Sequence, residues 1–278
     1  MIKHVIERSA KWMAGTVIPG AILGLAISTF AGISPADAKE LHLIAPNIPP
    51  HFDDQGRGRI GDVIRAVLER CGHTVRFTMV PFGRHWNDYK KNESYDGLAT
   101  AEADQVFPGF TTNPFIHLQD GATVIDGAGL EGIVKVEQLA GKRIVAFPNA
   151  HEILGIRHLL PKFKSFKQRT KRFDQIRPLL AGRVDIILAD GLITAHFLQK
   201  LRDRAKAGQE PDVDATKPVK FRRIFSKGPQ RLYFRDEAIT KDFDRCSEEL
   251  IASGEVDRIA KPYVDRYRVI LGDQYPVR

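Results

Sequence analysis

The chain has 278 residues, with 42 basic and 34 acidic side chains and a formal charge of +8 spread along its length. Its two cysteines and nine histidines show no metal-type spacing, and there is no Ser-His-Asp order, no phosphate-loop run of glycines and no nucleotide fingerprint. A metal module and a nucleotide enzyme are therefore excluded, and no cofactor is expected.

Lys3, Arg8 and Lys11 give a positive start, Trp12 to Ile33 is almost wholly apolar, and Ala36-Asp37-Ala38 offers the small-x-small pattern that a signal peptidase reads. The apolar run is also long enough to span a bilayer. Gly15, Pro19, Gly20 and Gly24 interrupt a continuous helix, however, and a polar, charged stretch follows at once. Residues 1–38 are accordingly expected to be a cleaved signal peptide, with the mature chain beginning near Lys39 in the periplasm. No cysteine near the site provides a lipid anchor, and no arginine pair marks the twin-arginine route. Cleavage removes three basic and two acidic residues, leaving 39 against 32. The remaining residues, about 240, suffice for one large domain or two modest lobes.

Leu41 to Ala45 reads as a first strand, and Pro46, Pro49, Pro50, Gly56 and Gly58 mark a loop after it. Ile60, Val63, Ile64, Val67, Leu68 and Cys71 recur at helical spacing, with Gly72 as the stop. Val75, Phe77 and Met79 alternate as a second strand, Trp86 to Lys90 is a short helical piece, and Asp96 to Thr100 is a short strand. Lys162 to Arg172 alternates basic residues with Phe163 and Phe166, which reads as a solvated helix or loop face rather than a nucleic-acid patch. Arg143 to Phe147 is a further strand, and Val184 to Ala189 is a continuous apolar one of the kind buried on both faces. Phe243, Cys246 and Leu250, then Val256, Ile259 and Tyr263, keep one face of two C-terminal helices apolar. Alternating elements of this kind predict α/β layers with largely parallel sheets. Cys71 and Cys246 fit a disulfide, which export permits, and fit two buried thiols equally well.

Six short motifs follow one another in a familiar order. They are Pro49-Pro50-His51-Phe52, Tyr95-Asp96-Gly97, Phe110-Thr111-Thr112-Asn113-Pro114-Phe115, Leu139-Ala140-Gly141-Lys142-Arg143-Ile144, Gly182-Arg183-Val184-Asp185 through Asp190, and Gly254-Glu255-Val256 with Tyr263. Together they resemble the bacterial periplasmic solute-binding proteins of the polar amino-acid type (extracellular solute-binding family 3), over nearly the whole mature chain. The resemblance implies a type II, Venus-flytrap architecture with two α/β lobes. Lobe one would be 39–117 with 230–278 and lobe two 118–229, with crossings near His117-Leu118 and Ser226 to Pro229. A monomer is expected, whose partners are a small polar solute and, transiently, an ABC transporter permease.

The resemblance also suggests ligand contacts. Asp190, at the end of an apolar strand, matches the Asp that takes a ligand's ammonium group, and it suits a helix N-cap as well. Asn149-Ala150-His151 stands where the family starts a helix whose amides grip a carboxylate. Thr100 matches a small hydroxyl position. The family's carboxylate-clamping Arg, about a dozen residues after the Asp of the Asp96 strand, is missing, because Ala101 to Gly109 holds no basic residue. Arg84, in a Pro81-Phe82-Gly83-Arg84 turn, is the substitute, and Phe52, with Phe82 or Trp86, would supply an apolar wall. On this reading Asp190→Ala and Arg84→Ala weaken binding while the fold survives. Two other functions stay open: a dehydratase-like enzyme on the same fold, with Glu102 or Glu152 as acid or base, and a ligand-sensing or accessory binding protein.

Overall fold

Two sheets, each covered by helices, follow from two kinds of apolar pattern in the sequence. The computed structural model describes residues 38–101 and 105–278, so the expected signal peptide lies outside the described residues. In the first sheet β1 (Glu40–Pro46) is buried on both faces, with Leu43, Ile44 and Ala45 fully shielded. The next element, α1 (Arg59–Arg70), buries Ile60, Val63, Ile64, Val67 and Leu68, the single stripe that their spacing dictates. It returns the chain to β2 (Thr74–Val80), parallel to β1. A short helix, α2 (Arg84–Lys91), leads to β3 (Gly97–Ala101) on the other side of β1. The brief strands β4 (Phe110–Thr111) and β5 (Ile116–Leu118) end this half.

The chain then enters a second, five-stranded sheet. Its strands are β6 (Asp120–Ile125), β7 (Arg143–Ala146), β8 (Ser165–Gln168), β9 (Ile186–Asp190) and β10 (Val219–Arg222), in the order β10-β6-β9-β7-β8. The helices α3 (Ala150–Ile153), α4 (Phe173–Leu180) and α5 (Gly191–Lys206) connect them. The return strand β11 (Gly228–Phe234) pairs antiparallel with β3, β4 and β5, completing the first sheet as β2-β1-β3-β11-β4 with β5 alongside β11. Two long helices follow, α6 (Glu237–Ala252) and α7 (Glu255–Asp265), then the single turn α8 (Arg268–Leu271).

Cys71 and Cys246 are disulfide-bonded, with Cα atoms 5.9 Å apart, and tie the end of α1 to α6. The basic stretch from Lys162 contains β8, an edge strand with Phe166 half-buried and Lys167 exposed, where the sequence reading had a helix or loop face. Charged side chains on such an edge discourage pairing with another chain. The C-terminal stretch departs from the expected lobe-one assignment of 230–278. Val256 and Ala260 of α7 join the first core, whereas Val264, Tyr267, Ile270, Leu271 and Tyr275 pack in the second. The chain therefore passes between the sheets at Gln119 and again between Arg222 and Gly228, and the end of α7 carries it from the first core into the second. Among the described residues no helix is long and apolar enough to cross a membrane.

Candidate functional site

In each lobe, loops leave the carboxyl ends of parallel strands, the usual place for ligands in open α/β sheets. The loops of the two lobes meet. Phe82, after β2, lies 6.3 Å centroid to centroid from Phe147, after β7. His51, after β1, reaches Asp190 at the end of β9.

The described residues include only two non-glycine positions with left-handed backbone, Thr100 (φ 62°) and Asn149 (φ 60°). One is the penultimate residue of β3 in lobe one and the other follows β7 in lobe two. A β-branched residue there is strained, while Asn tolerates the conformation better, and such strain persists only where the surroundings enforce it. At Thr100 the enforcement is visible. Trp86 Nε1 donates to the Thr100 carbonyl at 3.0 Å, and His85 Nε2 stands 3.5 Å from Thr100 Oγ1. The Gly83 amide donates to His85 Nδ1, so the imidazole proton sits on Nε2, facing that hydroxyl. Burial pushes the His85 pKa down to about 3, which leaves the ring neutral. Phe82, at 5.0 Å from Trp86, connects this group to Phe147 across the cleft.

On the opposite side Gln168 organises the loop. Its Oε1 accepts from the Asn149 amide at 2.7 Å, and its Nε2 donates to His151 Nδ1 at 2.7 Å. The helix of amides expected to grip a carboxylate shrinks to the single turn α3, and its entry amides are already taken: Asn149 by Gln168 and Ala150 by the Phe147 carbonyl. The Asn149 side chain is exposed and has no partner among the described residues.

Asp190 is 5% exposed and caps α5 through the Ile193 amide, at 2.9 Å on Oδ1. His51 Nε2 also donates to Oδ1, at 3.3 Å, while Oδ2 accepts from the Gln119 amide at 3.1 Å and the Tyr275 hydroxyl at 2.7 Å. Burial pushes the carboxyl up, but the attraction of His51 and the bonds from His51, Tyr275 and Ile193 overcome it, holding Asp190 below the usual range. Complete burial pushes His51 down against the pull of Asp190. The carboxylate foreseen as a free ammonium acceptor is thus saturated by protein groups from both lobes. Arg172, half-buried at the start of α4, is pushed down by burial and pulled up by Asp190 and Asp120 nearby.

Two other expected contacts lie elsewhere. Phe52 is fully buried in the lobe-one core with its ring 5.7 Å from Phe77, so it walls the core instead of the cleft. Arg84 has a 66% exposed side chain whose Nε pairs with Asp88 at 2.9 Å, one helical turn on. Glu152 pairs with Arg157 and also faces His151 Nε2 at 3.3 Å, and Glu102 lies outside the described residues. His51, His85, Gln119, Phe147, Arg172 and Tyr275 escaped the sequence reading, apart from His51 as part of a motif. Their partners are remote in sequence, and no local spacing signals them.

No protein-family model matches the chain, and no curated sequence does either. Solved structures do. An arginine third transport system periplasmic binding protein from Legionella pneumophila matches with a TM-score of 0.61 at 15% identity, over 81% of this chain and all of that one (100%). A histidine kinase sensor domain with similarity to periplasmic binding proteins matches with a TM-score of 0.61 at 16% identity, over 81% and 96%. An ancestral amino-acid-binding protein, described as a precursor of cyclohexadienyl dehydratase, matches with a TM-score of 0.59 at 14% identity, over 81% and 95%. With its two mixed sheets, its helical layers and these neighbours, the chain has the two-lobed α/β fold of the type II periplasmic binding proteins.

Proposed function

We propose that the chain is an extracytoplasmic solute-binding protein that holds a small polar solute, an amino acid or a related amine or acid, between its lobes for delivery to an ABC importer. The observation that carries this reading is the pair of left-handed backbones at Thr100 and Asn149, one at the penultimate residue of β3 and the other just after β7, on facing lobes. Each is held by a buried or clamped neighbour, His85 with Trp86 on one side and Gln168 on the other. Phe82, Trp86 and Phe147 supply the apolar wall, and His151 adds a ring held at Nδ1 by Gln168 and at Nε2 by Glu152. Such a pocket, apolar with a few positioned polar groups, suits a small ligand. The disulfide between Cys71 and Cys246 supports an oxidising compartment, in keeping with export by a cleaved signal peptide and action in the periplasm as a monomer.

A binding role is favoured over an enzyme because both oxygens of Glu152 are already engaged, by Arg157 and by His151 Nε2 at 3.3 Å. A sensing role is the second reading, since one structural neighbour is a histidine kinase sensor domain. An ATPase and a permease encoded beside this gene favour transport; a lone reading frame favours sensing.

A thermal-shift screen against amino acids, polyamines, organic acids and aromatic acids tests the proposal. A ligand at a hundred times its dissociation constant adds about 2.7 kcal/mol, easily seen as a raised midpoint. At least one class should raise the midpoint, and Thr100→Gly should reduce that shift. Failure of all four classes, or a shift untouched by Thr100→Gly, overturns the reading.

A further inference from the structure

Tyr275 sits where both lobes and the C-terminal segment meet. It is 2% exposed, with its hydroxyl on Asp190 Oδ2 at 2.7 Å and 3.4 Å from His51 Nε2. Its ring lies 5.4 Å from the Arg59 guanidinium and 6.2 Å from the ring of Phe221 on β10. Arg59, the first residue of α1, is completely buried and donates to carbonyls alone: His117 at 3.0 Å, Val277 at 2.8 and 3.1 Å, and Pro276 at 3.3 Å. Gln274 Oε1 accepts from the Arg223 amide at 2.8 Å. The segment Gln274–Val277 therefore touches lobe one through Arg59 and His51, and lobe two through Asp190 and Phe221. It also holds the second crossing through Arg223 and shares Arg59 with His117 at the first.

Rotation of the lobes about the crossings moves α1 and the His51 loop relative to β9. That motion strips partners from a buried guanidinium and a buried carboxylate, and water cannot replace those partners while the groups stay enclosed. Both oxygens of Asp190 already accept two hydrogen bonds each. We infer that residues 274–277 form an internal strap that holds the lobes closed without a ligand, with Tyr275 occupying the acceptor oxygen that an ammonium group would need. This inference stands on the lobe contacts and does not depend on which solute the cleft takes.

Two variants of the full chain test it, with no ligand added. Tyr275→Phe keeps the ring against Phe221 and Arg59 and removes only the hydroxyl; deletion of residues 275–278 removes the strap. The amide of Gln119, which shares Asp190 Oδ2 with Tyr275, should exchange its hydrogen at least tenfold faster in Tyr275→Phe, while the β1 amides keep their rates. Small-angle scattering should match the closed arrangement for the unaltered protein and expand for the deletion. Unchanged Gln119 exchange overturns the inference, as does an unaltered protein that scatters as an open form. Faster exchange with unexpanded scattering of the folded deletion overturns it too, because the hydroxyl would then only anchor a loop. If the deletion does not fold, the Gln119 exchange in Tyr275→Phe decides alone.

Discussion

At Thr100 a strained backbone coincides with a proposed contact to the solute. Its φ of 62° is one that glycine adopts freely and a β-branched residue does not. Thr100→Gly should raise stability by about 1 kcal/mol by relieving that strain, and should weaken binding of the solute found by screening about tenfold by removing the hydroxyl. Parallel melts and calorimetry read both effects; a less stable variant with unaltered affinity contradicts the assignment. Asp190 behaves differently from the sequence expectation. With four partners and only 5% of its surface exposed, Asp190→Ala should cost the fold about 3–5 kcal/mol in chemical denaturation, since it leaves His51 and Tyr275 unpaired in a buried site. A variant as stable as the parent contradicts this account. The position of Asp190 was legible because a continuous apolar run ends there. Its saturation was not, because His51 is 139 residues away and Tyr275 is 85 away.

Among the elements, those with a strong period were readable. The stripe of α1 and the doubly buried β9 appear in the sequence as the structure has them, because burial of a whole face leaves no latitude in residue type. The edge strand β8 was not readable, since half-burial and lysines imitate a solvated loop. Nor was the pairing of Cys71 with Cys246 decidable, because two apolar faces with one cysteine each fit pairing and non-pairing alike. That bond closes a separation of 175 residues between α1 and α6. Replacing both cysteines by alanine should lower stability by about 2–4 kcal/mol, seen as a lower melting midpoint that reductant no longer changes. Equal midpoints for the parent and the double variant would mean the bridge adds nothing to lobe one.

At the scale of the molecule, the buried His85 and the half-buried His196 tie stability to pH. Burial pushes His85 to about 3 and His196 to about 4, against an ordinary value of 6.5. As pH falls below 6.5 the unfolded chain binds protons that the folded chain refuses, so stability is complete above that value and drops toward pH 4 and below. The melting midpoint should therefore fall steadily between pH 7 and pH 4, and His85→Gln should flatten the slope; a flat parent profile contradicts the burial of these rings. The two-lobed plan itself was legible from the order of motifs, whereas the return of Val264 to Tyr275 to the second core was not, because one helix, α7, serves both cores.

In the proposed complex the solute sits between the lobes at Thr100 and Asn149. Other places compete: a cavity of about 720 Å³ at the amino ends of β7 and β9, lined by Lys142, Arg143, Lys164 and Lys217, and one of about 680 Å³ beside Tyr263 and Tyr267. Backbone amide NMR, with the solute that screening finds, separates them most directly. The largest shifts should fall at Trp86, Thr100, Asn149 and His151 together, in both lobes at once. Shifts confined to Lys142 and Lys217, or to Tyr263 and Tyr267, with Thr100 and Asn149 unmoved, would contradict that placement.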